Sequence, residues 1–475
     1  MFIVWRSSGY LITDISIVMP NYLEISLTVL NGAYLMGVFL LSLWWIYVPW
    51  FLLILARDLW FKHQRQNFVN KLEWVLLEVR PPREVQKTPQ AMEQFFAGMH
   101  AIQGGPNWRE KQIKGEFQKW FSLEIVSLGG EIHFLIRVIA SFRDMVEAHI
   151  YAQYPEAEIR QTDDYVNSVP SDIPNKNYDL WGTELILTKE DAYPIKTYPA
   201  FEKEAKAEEQ RVDPMSSLLE VMNKISDGEQ IWIQTLVRPV DDKWKETGEK
   251  LRNKLIGREE KKKESLIIKE VSAWRDAVVD VANKMVSGGE GESAGEKKEE
   301  KPQPFSMITT KAEQSIINAI EENISKIGYE TIIRFLYLAP KEAFRPANIA
   351  AVFGCYKQFA SQNLNGFKPN SKITTKIDYA IQFKKIREAY RKKRVLADYK
   401  KRDFVQHSEV ISYFKPLLFE RFPVLNWFFI RSKPFVLSIE ELATIYHYPS
   451  FSVKAPLVPK VEAKKAEPPK GLPIG

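Results

Sequence analysis

The fold is decided by the stretch Trp120-Phe-Ser-Leu-Glu-Ile-Val-Ser-Leu-Gly-Gly-Glu-Ile-His-Phe-Leu-Ile-Arg-Val-Ile139. Apolar and polar residues alternate on both sides of Gly129-Gly130, which is the spacing of a β-strand. Two alternating runs joined by two glycines are typical of a β-hairpin, because glycine readily adopts the positive φ angles of a tight turn. The sequence therefore predicts paired strands at Trp120–Leu128 and Ile132–Ile139.

The segments around this hairpin predict a first ferredoxin-like domain at residues 70–165. A strand and a helix precede the hairpin, and a helix and a short strand follow it, which gives the order β-α-β-β-α-β. The expected elements are a strand at Trp74–Val79, a helix opened by Thr88-Pro89, a helix opened by Ser141 and closed by Pro155, and a strand at Ala157–Gln161.

A partial repeat of this pattern predicts a second ferredoxin-like domain at residues 178–370. Asp213-Pro214 opens an apolar helix that leads into a strand, as Thr88-Pro89 does in the first domain. A charged insertion at residues 241–304 interrupts the repeat. We assign residues 371–454 to a basic helical and C-terminal region and residues 455–475 to a Pro-rich tail.

The segment 25–60 predicts a transmembrane helix, because Ile25–Ala56 contains no charged side chain and a helix closes its backbone hydrogen bonds internally. Its densest part, Ala33–Ala56, reaches roughly 36 Å at about 1.5 Å per residue, enough to cross a hydrocarbon core of about 30 Å. Arg57 and Lys62 follow, so the positive-inside rule places residues 1–24 outside and the rest in the cytoplasm. A cleaved signal peptide is the alternative, although its apolar core would be shorter and would follow a basic region.

The expected fold class is therefore α+β. One N-terminal transmembrane helix is followed by two ferredoxin-like units, of which the second carries the long charged insertion, and by the Pro-rich tail.

Composition excludes several classes of protein. Cys355 is the single cysteine among 475 residues, which excludes an intramolecular disulfide framework and a four-thiolate zinc site. The formal net charge is only +6, from 66 Lys and Arg against 60 Asp and Glu. Any attraction to phosphate must therefore be local.

The sequence contains no constellation typical of catalysis, metal binding or cofactor binding. The Gly-rich run Gly288–Gly295 is not followed by the Gly-Lys-Ser or Gly-Lys-Thr of a phosphate loop, and no two of the six histidines have the i, i+4 spacing of a helical zinc site. Cys355 is expected to pack as a small apolar residue. We therefore expect no catalytic, cofactor-binding or metal-binding residue, and no enzyme activity.

The basic run Lys384–Arg402 is the candidate binding site. Apolar residues interleave with its charges, which predicts an amphipathic helix with one anchored face. Three uses compete, namely contact with nucleic-acid phosphate, with the anionic inner leaflet of a membrane, or with an acidic partner protein; a solvated helix face is the remaining interpretation. The candidate contacts are Lys384, Lys385, Arg387, Arg391, Lys392, Lys393, Arg394, Lys400, Lys401 and Arg402.

Several segments of the chain resemble an uncharacterised bacterial family of membrane-anchored proteins. They are Glu73–Arg80, Ala91–His100, Trp120–Phe134, Ala148–Pro155, Gly228–Gln234, Gln358–Pro369 and Leu437–Thr444. In relatives of this family the same region often precedes an ATPase of the type IV secretion coupling or conjugative DNA-transfer class. The resemblance implies a location in the bacterial inner membrane. It also implies that the ATPase is a separate protein or absent, since the sequence ends at Gly475, where a fused ATPase would begin.

Two functional hypotheses follow. The favoured one is a non-catalytic, membrane-anchored scaffold or adaptor subunit of a type IV secretion or conjugation-like DNA-translocating ATPase complex, with the membrane, the ATPase and DNA as candidate partners. The alternative is a membrane-tethered nucleic-acid-binding protein that acts through residues 384–402. A hydrolase is a third class, for which the sequence offers no supporting constellation.

Overall fold

A computed structural model of the protein describes residues 42–82, 87–110, 115–170, 172–204, 213–256, 310–377, 384–404 and 434–449. These residues belong to two compact units. The first contains residues 42–71, with helix α1 (Trp44–Lys71), and residues 107–110 and 115–116. The second contains the other described residues.

The second unit is an α+β structure. Its strands are β1 (Trp74–Arg80), β2 (Phe121–Leu128), β3 (Glu131–Ile139), β4 (Glu158–Gln161), β5 (Tyr178–Leu187), β6 (Gln230–Pro239), β7 (Gly328–Pro340), β8 (Phe367–Pro369) and β9 (Phe435–Ser438). Its helices are α2 (Gln90–Met99), α3 (Arg143–Gln153), α4 (Tyr198–Glu204), α5 (Ser216–Asn223), α6 (Lys243–Leu255), α7 (Lys311–Ile324), α8 (Pro346–Lys357), α9 (Lys384–Lys401) and α10 (Ile439–Ile445).

The predicted hairpin is present as β2 and β3. Its turn consists of Gly129 and Gly130, whose φ angles are 59° and 95°. Leu128 pairs with Glu131 directly across the turn, and the two strands are antiparallel. Positive φ at both turn residues is the conformation that the two glycines predicted.

The nine strands of the described residues form one antiparallel sheet, in the order β4-β1-β3-β2-β6-β7-β5-β8, with β9 paired to β7. The sheet is continuous because β2 and β6 pair along their length, from Phe121 opposite Val237 to Leu128 opposite Gln230. The prediction of two ferredoxin-like units is therefore wrong, since the strands assigned to two sandwiches share a single sheet. An alternating pattern identifies a strand and its buried face, but not the distant strand that pairs with its edge.

The two faces of the sheet are covered differently. One face packs against α2, α3, α5, α8 and α10 in the main hydrophobic core, where the ring of Tyr329 contacts Phe96 and Phe121 edge to face. The other face packs against α9 and against Val166, Val169 and Ile173, and Trp232 and Leu396 belong to the same cluster. The candidate binding segment thus forms part of the second cover of the sheet.

Helix α1 corrects the membrane prediction. Its charge-free part, Trp44–Ala56, reaches only roughly 20 Å at about 1.5 Å per residue, and Arg57, Lys62 and Arg65 continue the same helix. Among the described residues, no helix has both the length and the apolar character needed to cross a bilayer. The predicted transmembrane helix and the single-pass inner-membrane location are therefore wrong. Residues 25–41 of the predicted span and the predicted outer segment 1–24 lie outside the described residues.

The segment predicted as an insertion lies between β6 and β7, which are neighbours in the sheet. Its described part forms α6, which packs against α7 through the close approach of Gly248 to Ile324. Residues 257–309 and the predicted Pro-rich tail lie outside the described residues.

Candidate functional site: a basic helix held on a buried polar row

A row of polar side chains crosses the middle of the sheet under α9. Glu124 of β2 is opposite Gln234 of β6, Gln234 is opposite Arg334 of β7, and Arg334 is opposite Glu184 of β5. Each of the four residues is at most 5% exposed. Cross-strand partners in register point to the same face of a sheet. We call Glu124, Gln234, Arg334 and Glu184 the polar row.

Direct hydrogen bonds link the polar row. Gln234 Nε2 donates to Glu124 Oε1 at 3.0 Å, and Arg334 Nη1 donates to Gln234 Oε1 at 3.2 Å. Arg334 Nε donates to Glu184 Oε1 at 3.1 Å. The Gln234 amide therefore joins a carboxylate to a guanidinium, with its donor and acceptor ends each facing a group of the matching kind.

The polar row also holds the C-terminal end of α9. Arg334 Nη1 donates to the carbonyl oxygen of Asp398 at 3.0 Å, and Gln234 Nε2 donates to that of Tyr399 at 3.3 Å. The last carbonyls of a helix lack partners within the helix, and a cation near them is favourable. Two side chains of the row thus fix where α9 ends on the sheet.

Arg402 follows α9 and is 1% exposed. Its Nε and Nη2 donate to Glu124 Oε1 and Oε2 at 2.6 and 2.9 Å, and its Nη1 and Nη2 donate to Asp164 Oδ2 and Oδ1 at 2.6 and 2.9 Å. Trp120 Nε1 donates to the carbonyl oxygen of Arg402 at 2.8 Å. Burial lowers the pKa of Arg402, but the charge of Glu124 and the hydrogen bonds to Glu124 and Asp164 together outweigh this effect and raise the pKa overall. Arg402 is therefore a permanent cation, paired with two carboxylates.

Two tyrosines complete the network around Glu124. Tyr165 OH donates to Glu124 Oε2 at 2.7 Å, and the hydroxyl of Tyr399 lies 2.7 Å from that of Tyr165. Because the Tyr165 proton points to the carboxylate, the Tyr399 hydroxyl donates to Tyr165. Burial, together with the charge of Glu124, raises the pKa of both phenols well above the usual range. Both tyrosines therefore remain protonated donors.

Glu124 is ionised and fully engaged. Burial raises its pKa, but the charge of Arg402 and hydrogen bonds from Arg402, Tyr165 and Ser122 outweigh burial and bring the pKa below its usual range. Its two oxygens accept five hydrogen bonds, one each from Ser122, Gln234 and Tyr165 and two from Arg402. The arrangement can anchor α9, and it leaves the carboxylate no lone pair for a substrate.

The described residues contain no group of three or more His, Cys, Asp or Glu side chains placed to hold a metal ion. Cys355 is buried, as expected, and burial raises the pKa of its thiol. The thiol is therefore a poor nucleophile at neutral pH.

The structure separates the predicted contact residues into three groups. Arg402 is buried in the ion pairs described above. A second group is partly buried and comprises Arg387, Arg391, Lys392, Arg394 and Lys400. The third group is exposed and comprises Lys384, Lys385, Lys393 and Lys401.

The partly buried group contacts the protein itself. Lys392 Nζ lies 2.6 Å from Asp179 Oδ1, Arg391 Nη1 donates to the carbonyl oxygen of Thr374 at 2.8 Å, and Lys400 Nζ donates to that of Val169 at 3.0 Å. Arg394 pairs with Asp398 at 3.7 Å. The contacts of Lys392, Arg391 and Lys400 attach α9 to β5 and to the loops beside it, whereas the pair of Arg394 and Asp398 lies within α9.

The exposed lysines share the surface of α9 with two apolar side chains. Ile386 is 68% exposed and Tyr390 is 46% exposed, whereas Val395, Leu396 and Tyr399 form the buried face of the helix. We call Lys384, Lys385, Ile386, Tyr390, Lys393 and Lys401 the α9 basic surface.

Sequence reasoning missed the polar row. A usable signal was present, because Glu124, Gln234 and Arg334 each lie in the middle of a strand that is otherwise largely apolar. A strand buried on both faces tolerates such residues only where they are paired. The signal indicates a buried network, but it does not identify which residues pair.

A family model described as a domain of unknown function, DUF8128, matches residues 58–459. The chain belongs to this family. The DUF8128 domain includes the whole polar row and α9, so the candidate site is part of the domain and not an addition to it. The expected membership in an uncharacterised family is confirmed, whereas the association with a secretion ATPase stays a prediction. No curated protein matches the sequence.

Proposed function

We propose that the protein is a non-catalytic scaffold or adaptor subunit of a type IV secretion or conjugation-like complex, in which a separate DNA-translocating ATPase is the motor. The resemblance to proteins that carry this region ahead of such an ATPase supports the choice of partner. Fusion supplies a high effective concentration, so when the two regions are separate chains an interface between them has to replace the covalent link.

The proposal rests on one observation, namely that the protein itself supplies all the hydrogen bonds that the Glu124 carboxylate accepts. A catalytic carboxylate needs a lone pair that can reach a substrate or a proton. Both oxygens of Glu124 instead accept bonds from the protein, and its lowered pKa keeps it charged. The network instead fixes α9 in one position on the sheet.

A fixed helix on a continuous sheet suits a binding role. A surface that becomes ordered only as it binds loses conformational entropy, which weakens association. A surface that is already ordered loses less conformational entropy on binding. The buried face of α9 and the ion pair between Lys392 and Asp179 restrict the helix before any partner arrives. This rigidity favours a role as a binding surface in an assembly.

Purification of the tagged full chain from its own cells tests the proposal. We expect an ATPase of the secretion or conjugation class to co-purify in an amount comparable with the chain, and to remain bound in size-exclusion chromatography. We also expect the chain to raise ATP turnover by that ATPase while hydrolysing no ATP alone. Recovery with neither an ATPase nor another secretion component, or ATP hydrolysis by the chain itself, would overturn the proposal.

A further inference from the structure

The geometry points to a second property, the binding of single-stranded nucleic acid by the α9 basic surface. Lys384, Lys385, Lys393 and Lys401 are exposed along one helix, and Tyr390 lies between them in the sequence with nearly half of its side chain accessible. Lysines that contact the backbone, combined with an aromatic ring on which a base stacks, are the usual elements of single-strand binding. The inference does not depend on the proposed ATPase.

The acidic residues of α9 do not neutralise this surface. Glu388 Oε1 accepts the backbone N–H of Ile377 at 3.1 Å, and Asp398 pairs with Arg394. These are the two acidic residues of α9, against nine Lys and Arg, so the helix keeps a large positive charge. The exposed lysines therefore contribute a local positive potential that the small net charge of the chain conceals.

The length of the surface suits a short single strand. From Lys384 to Lys401 the helix extends roughly 26 Å at about 1.5 Å per residue. Single-strand sites on small domains cover about 4–16 nucleotides, and a surface of this length matches the lower part of that range. Duplex DNA stacks its bases inside the helix, where Tyr390 cannot reach their faces. Tyr390 therefore favours an unpaired strand.

The fixed position of α9 favours binding further. Basic segments that are disordered lose affinity because they must fold on their partner. Here Leu396 and Tyr399 are buried against the sheet, and Arg402 closes the end of the helix in its ion pairs with Glu124 and Asp164. The lysines are presented on a scaffold that is already ordered.

Fluorescence anisotropy with the full chain and a labelled oligothymidylate tests the inference. For single strands the logarithm of affinity falls with the logarithm of salt by about 0.7 per phosphate neutralised, so four lysines predict a slope of about −3. The quadruple variant Lys384→Gln, Lys385→Gln, Lys393→Gln and Lys401→Gln should bind at least about tenfold more weakly at low salt, with a slope near zero. Gln and Lys have similar helix propensity, and circular dichroism confirms that the variant is folded.

The matched control lies on α6. The quadruple variant Lys243→Gln, Lys245→Gln, Lys250→Gln and Lys254→Gln removes the same charge from another exposed helix, and it should bind like the unmodified chain. Tyr390→Ala should weaken binding about tenfold, whereas Tyr390→Phe, which keeps the ring, should not.

Three results would overturn the inference. They are undiminished binding by the α9 variant, equal losses in the α9 and α6 variants, and displacement of the oligonucleotide by poly-glutamate of matched charge as effectively as by unlabelled oligonucleotide. The last result would assign the surface to an acidic protein. Because the assay contains only the chain and an oligonucleotide, any of these results leaves the proposed ATPase partner untouched.

Discussion

Arg402 has a backbone conformation that glycine usually adopts. Its φ of 52° lies in the left-handed region, where an L side chain costs about 1–2 kcal/mol. Many helices end with glycine in this conformation, one residue beyond their last turn. A guanidinium is present at this position because it forms the forked pairs with Glu124 and Asp164. The ion pairs therefore compensate for a strained backbone.

Substitution of Arg402 should be severely destabilising. Arg402→Met removes the cation but leaves Glu124 charged and buried, and breaking a buried pair in this way costs about 3–5 kcal/mol. We expect this loss in the free energy of unfolding measured by urea titration. Arg394→Met, which breaks a partly exposed pair on the same helix, should cost less than about 1 kcal/mol. A double variant Glu124→Gln and Arg402→Met should recover part of the loss, and equal costs for Arg402→Met and Arg394→Met would contradict the argument.

Glu441 should give the protein a stability that falls as pH rises. Its carboxylate is fully buried, with Oε1 accepting the N–H of Ile195 and Oε2 that of Ser438. Burial raises its pKa from 4.5 to about 7. Between these values the folded state keeps a proton that the unfolded chain has lost, so the contribution of Glu441 to stability is highest below pH 4.5 and declines until about pH 7.

The difference between the unmodified chain and Glu441→Gln isolates this effect. The amide of the variant does not titrate, so the free energy of unfolding of the unmodified chain should fall relative to that of Glu441→Gln by about 3 kcal/mol across the window. Chemical unfolding at a series of pH values measures this difference. A difference that is constant with pH, or one that grows in the opposite direction, would show that Glu441 is ionised throughout.

At the scale of elements, the packing of α6 on α7 predicts that replacing a helical glycine by alanine will destabilise the protein. A Cβ added at Gly248 would lie 2.4 Å from Ile324 Cγ2, whereas a Cβ at Gly354 in α8 would meet no atom within 4 Å. Ala is favoured over Gly in a helix by about 1 kcal/mol, but overpacking costs about 1–3 kcal/mol. Gly354→Ala should therefore stabilise the protein and Gly248→Ala should destabilise it. Thermal unfolding compares the two variants, and stabilisation by both would refute the close packing.

The elements themselves were largely accessible from sequence, because their signals are local. Gly129-Gly130 predicted the hairpin turn, and the apolar residues among the lysines predicted that α9 would have an anchored face. The extent of that face could not be predicted from the sequence, because Ile386 is exposed although it is apolar. Helical spacing shows which residues share a side, but the sheet decides how much of that side is covered.

At the scale of the whole molecule, the pairing between distant segments was beyond the sequence. The order β2-β3-β1-β4 on one side of the β2–β6 pair corresponds to the order β6-β7-β5-β8 on the other, so each half places its second strand at the junction. Alternating patterns in β2 and β6 do not say that these two edges meet. The polar row depends on the same pairing, because Glu124 reaches Gln234 only across that junction. The continuous sheet and the polar row were therefore missed for one reason.

The junction predicts that the two halves of the sheet depend on each other. A fragment of residues 72–170 would expose the edge of β2, whose residues Phe121–Ser127 are buried in the full chain, and a long apolar edge invites association. We expect this fragment to dimerise or aggregate in size-exclusion chromatography with light scattering. The same fragment with Val126→Lys, a charge directed at the face that α9 would cover, should be less prone to associate through that edge.

In the full chain, amide hydrogens of β2 and β6 should exchange with the same free energy of opening, because neither strand can open without unpairing the other. A monomeric, folded fragment without the lysine, or exchange from β6 while β2 stays protected, would mean that the halves are independent domains joined only by contact.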